Sequence, residues 1–447
     1  MRTDVANATR AHRAVVLAAG LMLVAPAMAI GQAVQTGATQ TAATGAESDP
    51  GFGALIETLA AEAAALRISR ATLERALAGL TRDPEVVALS KAQPEYERTV
   101  GHYVDAIVSP ARIENGRARL AELSDVLGRI EAAYGVERHV LIAVWGIESN
   151  YGQAQGERSV IRSLATLMLD DPRRPEFWKR ELLAALRILE QGDIEPAAMT
   201  GSWAGAMGHT QFMPTSYQRL AVDFDGDGRR DIWRSPADAL ASSAKYLETS
   251  GWVAGLPAAI EVVLPAGFDY GLTAQGENYP VDFSGGLPPG RPDTRSWRER
   301  GLTLASGAAL PAIGARHKLR LVLPAGARGP AFLVSVNFNA ILRYNSAVAY
   351  ALAVSHLADR LGGGAPIATA WPAERGLNRA EREELQQRLM ARGHNVGGVD
   401  GLLGSLTRTA IRSYQKEAGL VTDGHPGLEL LDRLRQSSDA ANGPGKP

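Results

Sequence analysis

The most informative segment of the sequence is Val140-Leu141-Ile142-Ala143-Val144-Trp145-Gly146-Ile147-Glu148-Ser149-Asn150-Tyr151-Gly152. Its nearly unbroken apolar character predicts a buried helix. Glu148 follows Leu141 by seven residues and Val144 by four, so its side chain shares their face of that helix. A carboxyl group in such surroundings loses hydration, which raises its pKa toward the range of a general acid. The alternative is a glutamate at the helix end that turns out into solvent.

A second unusual segment is Gly201-Ser202-Trp203-Ala204-Gly205-Ala206-Met207-Gly208-His209-Thr210-Gln211-Phe212-Met213-Pro214-Thr215-Ser216-Tyr217. Its three glycines allow a backbone to approach a ligand closely. Its aromatic, amide and hydroxyl side chains suit the stacked and hydrogen-bonded faces of a sugar. The alternative is a glycine-rich turn that joins two helices, and composition alone leaves both interpretations open.

Around these segments, apolar residues recur at three- and four-residue spacings, which predicts a mainly helical body from residue 52 to about residue 361. Examples are Leu55-Leu59-Ala63-Leu66, Leu120-Leu123-Val126-Leu127 and Leu182-Leu183-Leu186-Leu189. Between Pro265 and Pro330 glycine and proline cluster, which indicates loops with a few short strands, clearest at residues 319–323. Helix returns at residues 344–361.

Composition excludes several classes of protein. The 447 residues fit two to three domains at about 150 residues each. Lys+Arg 47 and Asp+Glu 48 leave a net charge of −1, so no cationic field attracts nucleic acid or an anionic membrane. A hydrophobic content of 45% excludes wholesale disorder. Cysteine is absent, which excludes disulfides, thiolate catalysis and a lipid-modified N-terminal cysteine.

The N-terminus has the order of a secretory signal peptide. Three arginines precede the apolar run Ala14–Val24, and Ala27-Met28-Ala29 offers a small-x-small cleavage site. A membrane anchor is the alternative, but the run is shorter than the ~20 residues a span needs and Pro26 interrupts it. We therefore expect residues 1–29 to be removed and the mature chain to be exported, without a lipid or a transmembrane anchor.

Shifts in composition mark the remaining boundaries. Residues 30–50 lack a periodic apolar face and predict a flexible lead-in to a main domain at 51–361. Gly362-Gly363-Gly364-Ala365-Pro366 opens a linker at 362–376. A small second domain spans 377–435, where Asn378 and Glu381 predict a helix start, and 436–447 form a polar tail.

The segment Asp223-Phe224-Asp225-Gly226-Asp227-Gly228-Arg229-Arg230-Asp231, the acidic loop, has the spacing of an EF-hand calcium loop. Arg234 stands where that loop has its bidentate glutamate. We predict a structural Ca²⁺, with weakened affinity or replacement by Mg²⁺ or Na⁺ left open; an acidic turn without an ion is the alternative. The candidate ligands are Asp223, Asp225, Asp227, the Arg229 carbonyl, Asp231 and Asp238.

Five segments together resemble the membrane-bound lytic transglycosylase B family, periplasmic enzymes that cleave the glycan strands of bacterial peptidoglycan. In the family's order they are residues 146–152, 171–174, 201–217, 222–233 and 343–345. The resemblance implies a mainly α protein with a lysozyme-like α+β catalytic domain, located in the periplasm. A family calcium loop coincides with the acidic loop. His209-Thr210 departs from the family, which often has an aromatic residue and glycine there.

The resemblance also implies roles for individual residues. Glu148 matches the single catalytic acid/base, and Arg173 and Arg174 match a basic pair that faces the peptide and lactyl parts of the substrate. Tyr103 matches a further tyrosine of the glycan groove. The other implied groove residues are Ser202, Gln211, Tyr246, Tyr344, Asn345 and Tyr350. Peptidoglycan strands are the implied partner, with wall-synthesis enzymes or amidases as expected protein partners, and no cofactor is needed for catalysis.

One carboxylate suffices for the implied reaction, a non-hydrolytic cleavage of the β-1,4 bond between N-acetylmuramic acid and N-acetylglucosamine that leaves a 1,6-anhydromuramyl end. A hydrolytic muramidase is the alternative and needs a second carboxylate to fix a water; Glu157, Asp170 and Asp171 are the candidates in sequence. A wall-binding scaffold without activity is the other alternative, and the presence of Glu148 argues against it.

Residues 377–435 resemble the small three-helix peptidoglycan-binding domain. The matching features are the turn Asp400-Gly401-Leu402-Leu403-Gly404 and the segment Thr407-Arg408-Thr409-Ala410-Ile411 that follows it. The resemblance implies a noncatalytic anchor, which would raise the effective concentration of the catalytic domain at its polymer.

Overall fold

The computed structural model describes residues 50–91, 99–273, 293–313 and 317–441. The predicted signal peptide, nearly all of the predicted lead-in and the glycine- and proline-rich residues 283–290 lie outside these ranges. Within them the chain is mostly helical, as the periodicity predicts. Short strands occur in the region predicted for them, residues 265–330, and also before it, at residues 158–159, 200–201 and 259–263.

The α-helices run almost the whole length of the described chain. They are α1 (Pro50–Ala65), α2 (Arg70–Leu77), α3 (Pro84–Lys91), α4 (Val100–Ile107), α5 (Pro110–Glu122), α6 (Ser124–Tyr134), α7 (Arg138–Ser149), α8 (Val160–Asp170), α9 (Pro175–Gln191), α10 (Pro214–Leu220), α11 (Pro236–Thr249), α12 (Thr294–Glu299), α13 (Val336–Tyr344), α14 (Val348–Leu361), α15 (Arg379–Met390), α16 (Ser405–Glu417) and α17 (Leu428–Ala441).

The strands form two antiparallel sheets. They are β1 (Arg158–Ser159), β2 (Thr200–Gly201), β3 (Ala259–Val263), β4 (Thr303–Leu304), β5 (Arg320–Val322) and β6 (Ala331–Val334). β1 pairs with β2, and the larger sheet has the order β4-β3-β6-β5, with Ile260 opposite Leu333 and Leu333 opposite Leu321. The strand predicted at residues 319–323 is therefore present as β5.

The hydrophobic helix α7 lies in the middle of the main core. Leu141, Ile142, Ala143 and Val144 have no exposed surface, and the core around them includes residues of α4, α11, α13 and α14. The prediction of a buried helix at this position is confirmed, because α7 is covered on most of its circumference.

A second core lies beside the first and supports the glycine-rich loop, which we define as residues 201–213. Helices α1, α2, α8 and α9 contribute most of this core, with Phe212 from the loop and Tyr217 from α10. The two cores hold α7 and the glycine-rich loop against each other, which brings together segments that are more than fifty residues apart in sequence.

The C-terminal domain consists of α15, α16 and α17 around its own small core. Its first helix begins as predicted, since the Asn378 side chain accepts from Glu381 N and the Glu381 side chain accepts from Asn378 N. The predicted tail is too long: α17 continues through residue 441. The physical reason is that Gly443 and Pro444 are the first helix-breaking residues after Leu434.

The linker is held against the main domain instead of lying free. The backbone N–H groups of Ala368 and Thr369 donate to the Glu261 carboxylate, each at 2.8 Å. Trp371 packs against Phe332 with ring centroids 6.4 Å apart. Among the described residues, no helix combines the length and hydrophobicity that crossing a bilayer requires.

Candidate active site

Glu148 lies in the last turn of α7, where the chain turns sharply. Asn150 and Tyr151 both adopt left-handed backbone conformations, with φ of 50° and 58°. The Tyr151 hydroxyl donates to the Arg112 carbonyl at 2.6 Å, and its ring occupies the space beside Gly146, where a Cβ would lie 2.6 Å from it. Two successive left-handed residues other than glycine are costly, so surrounding contacts hold this end of α7 in place.

Three tyrosines from distant parts of the chain surround the Glu148 carboxyl group; we call Tyr103, Tyr344 and Tyr350 the tyrosine cluster. The buried Tyr350 hydroxyl donates to Glu148 Oε1 at 2.5 Å. Tyr103 and Tyr344 lie close enough for the Glu148 charge to act on their hydroxyls. The structure therefore brings together four of the site residues predicted from sequence.

Burial dominates the electrostatics of this cluster. It raises the pKa of Glu148 from near 4.5 to about 7, although the hydrogen bond from Tyr350 acts in the opposite direction by stabilising the carboxylate. Burial, reinforced by the Glu148 charge, raises the pKa of all three tyrosines. At neutral pH both the protonated and the ionised form of Glu148 are therefore populated. The tyrosine hydroxyls stay protonated and can donate hydrogen bonds.

The carboxylates considered as partners of Glu148 are engaged elsewhere. Asp170 forms an ion pair with Arg82 at 3.0 Å, Asp171 forms one with Arg173 at 2.8 Å, and Glu157 is exposed. In the part of the chain that the structure describes, no second carboxylate shifts the pKa of Glu148.

Ser202 and Gln211 shape the glycine-rich loop. The Ser202 hydroxyl accepts from Ala206 N at 3.0 Å. Gln211 has a φ of 51°, and its amide nitrogen donates to the carbonyls of Gly208 and Gln155, both at 2.9 Å. Both residues were predicted to line a glycan groove, and here their polar groups already bond to the loop backbone.

Tyr246 and Tyr344 connect the glycine-rich loop to the tyrosine cluster. Their ring centroids are 4.7 Å apart, and each lies 5.9 Å from the ring of Phe212. The Tyr344 hydroxyl donates to the Thr210 carbonyl at 2.6 Å. This aromatic group is continuous with the surroundings of Glu148, which agrees with the placement of both tyrosines in one predicted site.

The remaining predicted residues have local contacts. Arg173 donates to the Asp171 carboxylate and to the Ser90 carbonyl, and Arg174 lies over the Phe177 ring at 4.2 Å. The Asn345 side chain accepts from a backbone N–H two residues further on, at the end of α13. The structure places the two arginines in the turn between α8 and α9, outside the tyrosine cluster.

Sequence reasoning treated His209 only as a departure from a motif and missed its contact with α7. The Trp145 indole N–H donates to His209 Nδ1 at 3.1 Å, and the Ser149 hydroxyl donates to the His209 carbonyl at 2.5 Å. The four-residue spacing of Trp145 and Ser149 indicates one helix face, but the partner 60 residues away has no signal in the sequence.

Three aspartates of the acidic loop form a cluster. Carboxylate oxygens of Asp223, Asp225 and Asp227 lie within 4.8 Å of one another. Asp223 also accepts from the backbone of Gly226 at 2.8 Å and of Gly228 at 2.9 Å, which curls the loop around it. Clustered carboxylate oxygens are the donors that hard cations such as Ca²⁺ prefer, so this set fits such an ion.

Asp231 and Asp238, two further predicted ligands, have a different role in the structure. The buried Asp238 carboxylate accepts from Phe224 N at 2.8 Å and from Asp231 N at 2.9 Å, so it fastens both ends of the acidic loop. The Asp231 side chain accepts from Trp233 N at 3.0 Å. Both carboxylates lie outside the group of oxygens within 4.8 Å of one another, so the carboxylate cluster contains three of the five predicted aspartates.

Comparison with known proteins agrees with this geometry. Residues 51–359 match the family described as "Transglycosylase SLT domain", and residues 378–434 match the one described as "Putative peptidoglycan binding domain". SltB3 from Pseudomonas aeruginosa, solved in complex with NAG-anhNAM-pentapeptide, is 48% identical with a TM-score of 0.80, covering 87% of this chain and 100% of that one. The predicted lysozyme-like, mainly helical fold is confirmed.

Two relatives from Escherichia coli are more distant. Membrane-bound lytic murein transglycosylase B is 31% identical over 258 residues, which are 57% of this chain and 65% of that protein's length. The lytic transglycosylase Slt35, solved in complex with calcium, is 28% identical with a TM-score of 0.55, covering 70% of this chain and 93% of that one. Residues 51–359, well over half of this chain, match the Transglycosylase SLT domain family, and the chain therefore belongs to that family.

Proposed function

We propose that this protein is a lytic transglycosylase that cleaves the β-1,4 bond between N-acetylmuramic acid and N-acetylglucosamine in peptidoglycan without consuming water. The observation that carries the proposal is a single carboxyl group, Glu148, with a pKa near 7 and a hydrogen bond from Tyr350. The similarity to SltB3, a structure that contains an anhydromuramyl ligand, supports the same conclusion.

Glu148 serves in turn as acid and base. Its protonated form donates to the glycosidic oxygen as the bond to the muramyl C1 breaks. The resulting carboxylate removes the proton of the muramyl C6 hydroxyl, whose oxygen bonds to C1 and closes the 1,6-anhydro ring. A pKa near neutrality suits a group that must both give and take a proton. The Tyr350 hydroxyl stabilises the carboxylate between the two steps.

The substrate would lie against the aromatic and polar residues around Glu148. Tyr103, Tyr246 and Tyr344 offer aromatic surface for sugar rings, and Arg173, whose side chain is half exposed, offers a cation to the peptide or lactyl carboxylate. Ser202, Gln211 and Asn345 would contact glycan through their hydroxyl and amide groups.

The rest of the chain fits delivery to the same polymer. The domain at residues 378–434 would bind peptidoglycan and hold the catalytic domain near it. We propose that the enzyme acts in the periplasm, which is supported by the signal-like order of its N-terminus and by a substrate that belongs to the cell wall.

The test is mass spectrometry of the soluble products that the purified protein releases from peptidoglycan. We expect muropeptides that end in 1,6-anhydromuramic acid. Products heavier by one water, with a reducing muramic end, would make the enzyme a hydrolytic muramidase. Binding to the wall without any product would make it a scaffold. Either result would refute the proposal.

We predict that the rate falls as pH rises above about 7, because the donating form of Glu148 is depleted as pH passes through its pKa. Tyr350→Phe removes a hydrogen bond that favours the carboxylate, so the pKa of Glu148 rises. The alkaline limb of the pH–rate profile should then shift to higher pH by on the order of one unit.

Tyr246→Phe is the matched control for this profile, because the Tyr246 hydroxyl donates to the Arg343 carbonyl and not to Glu148. Its alkaline limb should coincide with that of the wild type. A limb that stays in place in Tyr350→Phe would assign the pH dependence to a group other than Glu148.

We further propose that the acidic loop binds Ca²⁺ through Asp223, Asp225 and Asp227 in a structural role, with the Arg229 carbonyl as an additional ligand. A ligand present at a hundred times its dissociation constant stabilises the folded state by about 2.7 kcal/mol. Chelation should therefore lower the thermal unfolding midpoint by roughly 5 °C, as measured by circular dichroism.

Without chelator, the variant Asp225→Asn should already unfold at the lower midpoint of the chelated wild type, and chelation should change its midpoint little. Asp125→Asn, at an exposed position of α6, should respond like the wild type. An equal response in both variants would place the stabilising ion outside the acidic loop.

A further inference from the structure

His209 lies between the acidic loop and the end of α7 that carries Glu148. Its backbone N–H donates to the carbonyl of Ile232, the residue that follows the acidic loop, at 2.9 Å. Its own carbonyl accepts from the Ser149 hydroxyl at 2.5 Å, and Ser149 is the immediate neighbour of Glu148. One residue therefore bonds through its backbone to both structures.

The His209 side chain strengthens the connection to α7. Its Nδ1 accepts from the Trp145 indole N–H at 3.1 Å, with the two rings edge to face and their centroids 5.5 Å apart. Trp145 lies one helical turn before Glu148, on the part of α7 whose end the site depends on. Both partners are buried, so the indole N–H has no water to replace His209 if the acceptor is lost.

The packing around His209 leaves no room for independent movement. A Cβ on Gly152 would lie 2.3 Å from the imidazole, and a Cβ on Gly208 would lie 2.4 Å from the Ile232 carbonyl oxygen. The Gly152 N–H also donates to the Ser149 hydroxyl at 3.0 Å. The Ile232 backbone, His209 and the end of α7 are therefore in close, continuous contact.

We propose that His209 is a positioning residue that couples the acidic loop to the Glu148 end of α7, so that a cation bound in the loop stabilises the orientation of Glu148. His209 touches no reacting atom in this proposal. The expected effect of His209 on catalysis rests on the proposed function, whereas the structural coupling between the acidic loop and α7 does not.

The kinetic test compares His209→Leu with His209→Asn. Leucine removes the acceptor and leaves the Trp145 N–H unpaired, so we expect kcat to fall about tenfold with little change in KM, because Glu148 is misaligned while substrate contacts remain. Asparagine can place its Oδ1 near the position of Nδ1 and should restore most of kcat. Thermal unfolding of both variants identifies any that does not fold, and an unchanged kcat in a folded His209→Leu variant would overturn the proposal.

The spectroscopic test follows the Trp145 indole N–H by NMR in the full chain labelled with ¹⁵N-tryptophan, with its signal identified from Trp145→Phe. Adding calcium chloride after chelation should shift this signal in the wild type and leave it unmoved in Asp225→Asn. In His209→Leu calcium should still bind, as measured by calorimetry, without moving the Trp145 signal.

Two outcomes of the NMR test would overturn the coupling. One is an equal calcium-dependent shift of Trp145 in His209→Leu, and the other is an unmoved Trp145 signal in a wild type that binds calcium. Absence of anhydromuramyl products from the wild type would instead refute the proposed function, and the behaviour of the Trp145 signal would still decide whether His209 connects the loop to α7.

Discussion

Glu148→Gln is expected to lower the release of anhydromuramyl products from peptidoglycan by about 10³-fold, within the 10²–10⁴ range typical of a lost acid or base. The amide keeps the size of the side chain and an oxygen that can accept from Tyr350, but it neither donates a proton to the glycosidic oxygen nor removes one from the C6 hydroxyl. Mass spectrometry and the rate of turbidity loss of a peptidoglycan suspension measure the effect.

The matched control is Glu157→Gln, which makes the same chemical change at an exposed position nine residues further on. It should retain the wild-type rate. The Glu148 variant should also unfold at a temperature no lower than the wild type, because it replaces a carboxyl group in a desolvated site with a neutral amide. Anhydromuramyl products formed at a comparable rate by a folded Glu148→Gln variant would show that another residue is the acid.

Gly208→Ala is expected to lower the free energy of unfolding by about 3 kcal/mol. Gly208 has a φ of +70°, and a Cβ there would lie 2.4 Å from the Ile232 carbonyl oxygen. The left-handed conformation alone costs an alanine about 1 kcal/mol, and the collision with the Ile232 carbonyl group adds the remainder, because backbone atoms cannot move aside as the end of a side chain can.

Gly255→Ala separates the two contributions. Gly255 has a similar φ of +73°, but nothing lies within 4 Å of the Cβ position, so only the conformational cost of about 1 kcal/mol should appear. Thermal unfolding midpoints of the two variants, recorded side by side, measure the difference. Equal losses in both would mean that the loop and the Ile232 segment separate at little cost, which would also weaken the coupling proposed for His209.

Local patterns in the sequence predicted a large part of this molecule. The apolar run around Glu148 predicted a buried helix because a helix that is hydrophobic on all sides is stable only when it is shielded from water on all sides. The capping residues Asn378 and Glu381 marked the first helix of the second domain because their bonds span only three residues. The tail was predicted to begin at residue 436, but α17 continues through residue 441, because no helix-breaking residue follows Leu434 before Gly443.

The spacing of the aspartates in the acidic loop predicted part of the carboxylate cluster correctly. Asp223, Asp225 and Asp227 alternate along one tight turn, and their positions in sequence predicted the cluster that the structure contains. Asp231 and Asp238 were predicted as further ligands, yet they lie outside that cluster, and Asp238 accepts from the backbone N–H groups of Phe224 and Asp231. Which aspartates share a site depends on how the loop folds against α11, and spacing carries no information on that.

The sequence by itself determined the helical class, the position of Glu148 on a buried helix and the start of the first helix of the second domain, because these follow from residue type and short-range periodicity. Only the tertiary structure decided what Glu148 can do. Its pKa near 7 results from burial by helices far away in the chain, and Tyr350, its hydrogen-bond donor, is 202 residues distant. Desolvation and hydrogen bonding act over a few ångströms in space, so they depend on which segments meet and not on how closely those segments follow one another in the chain.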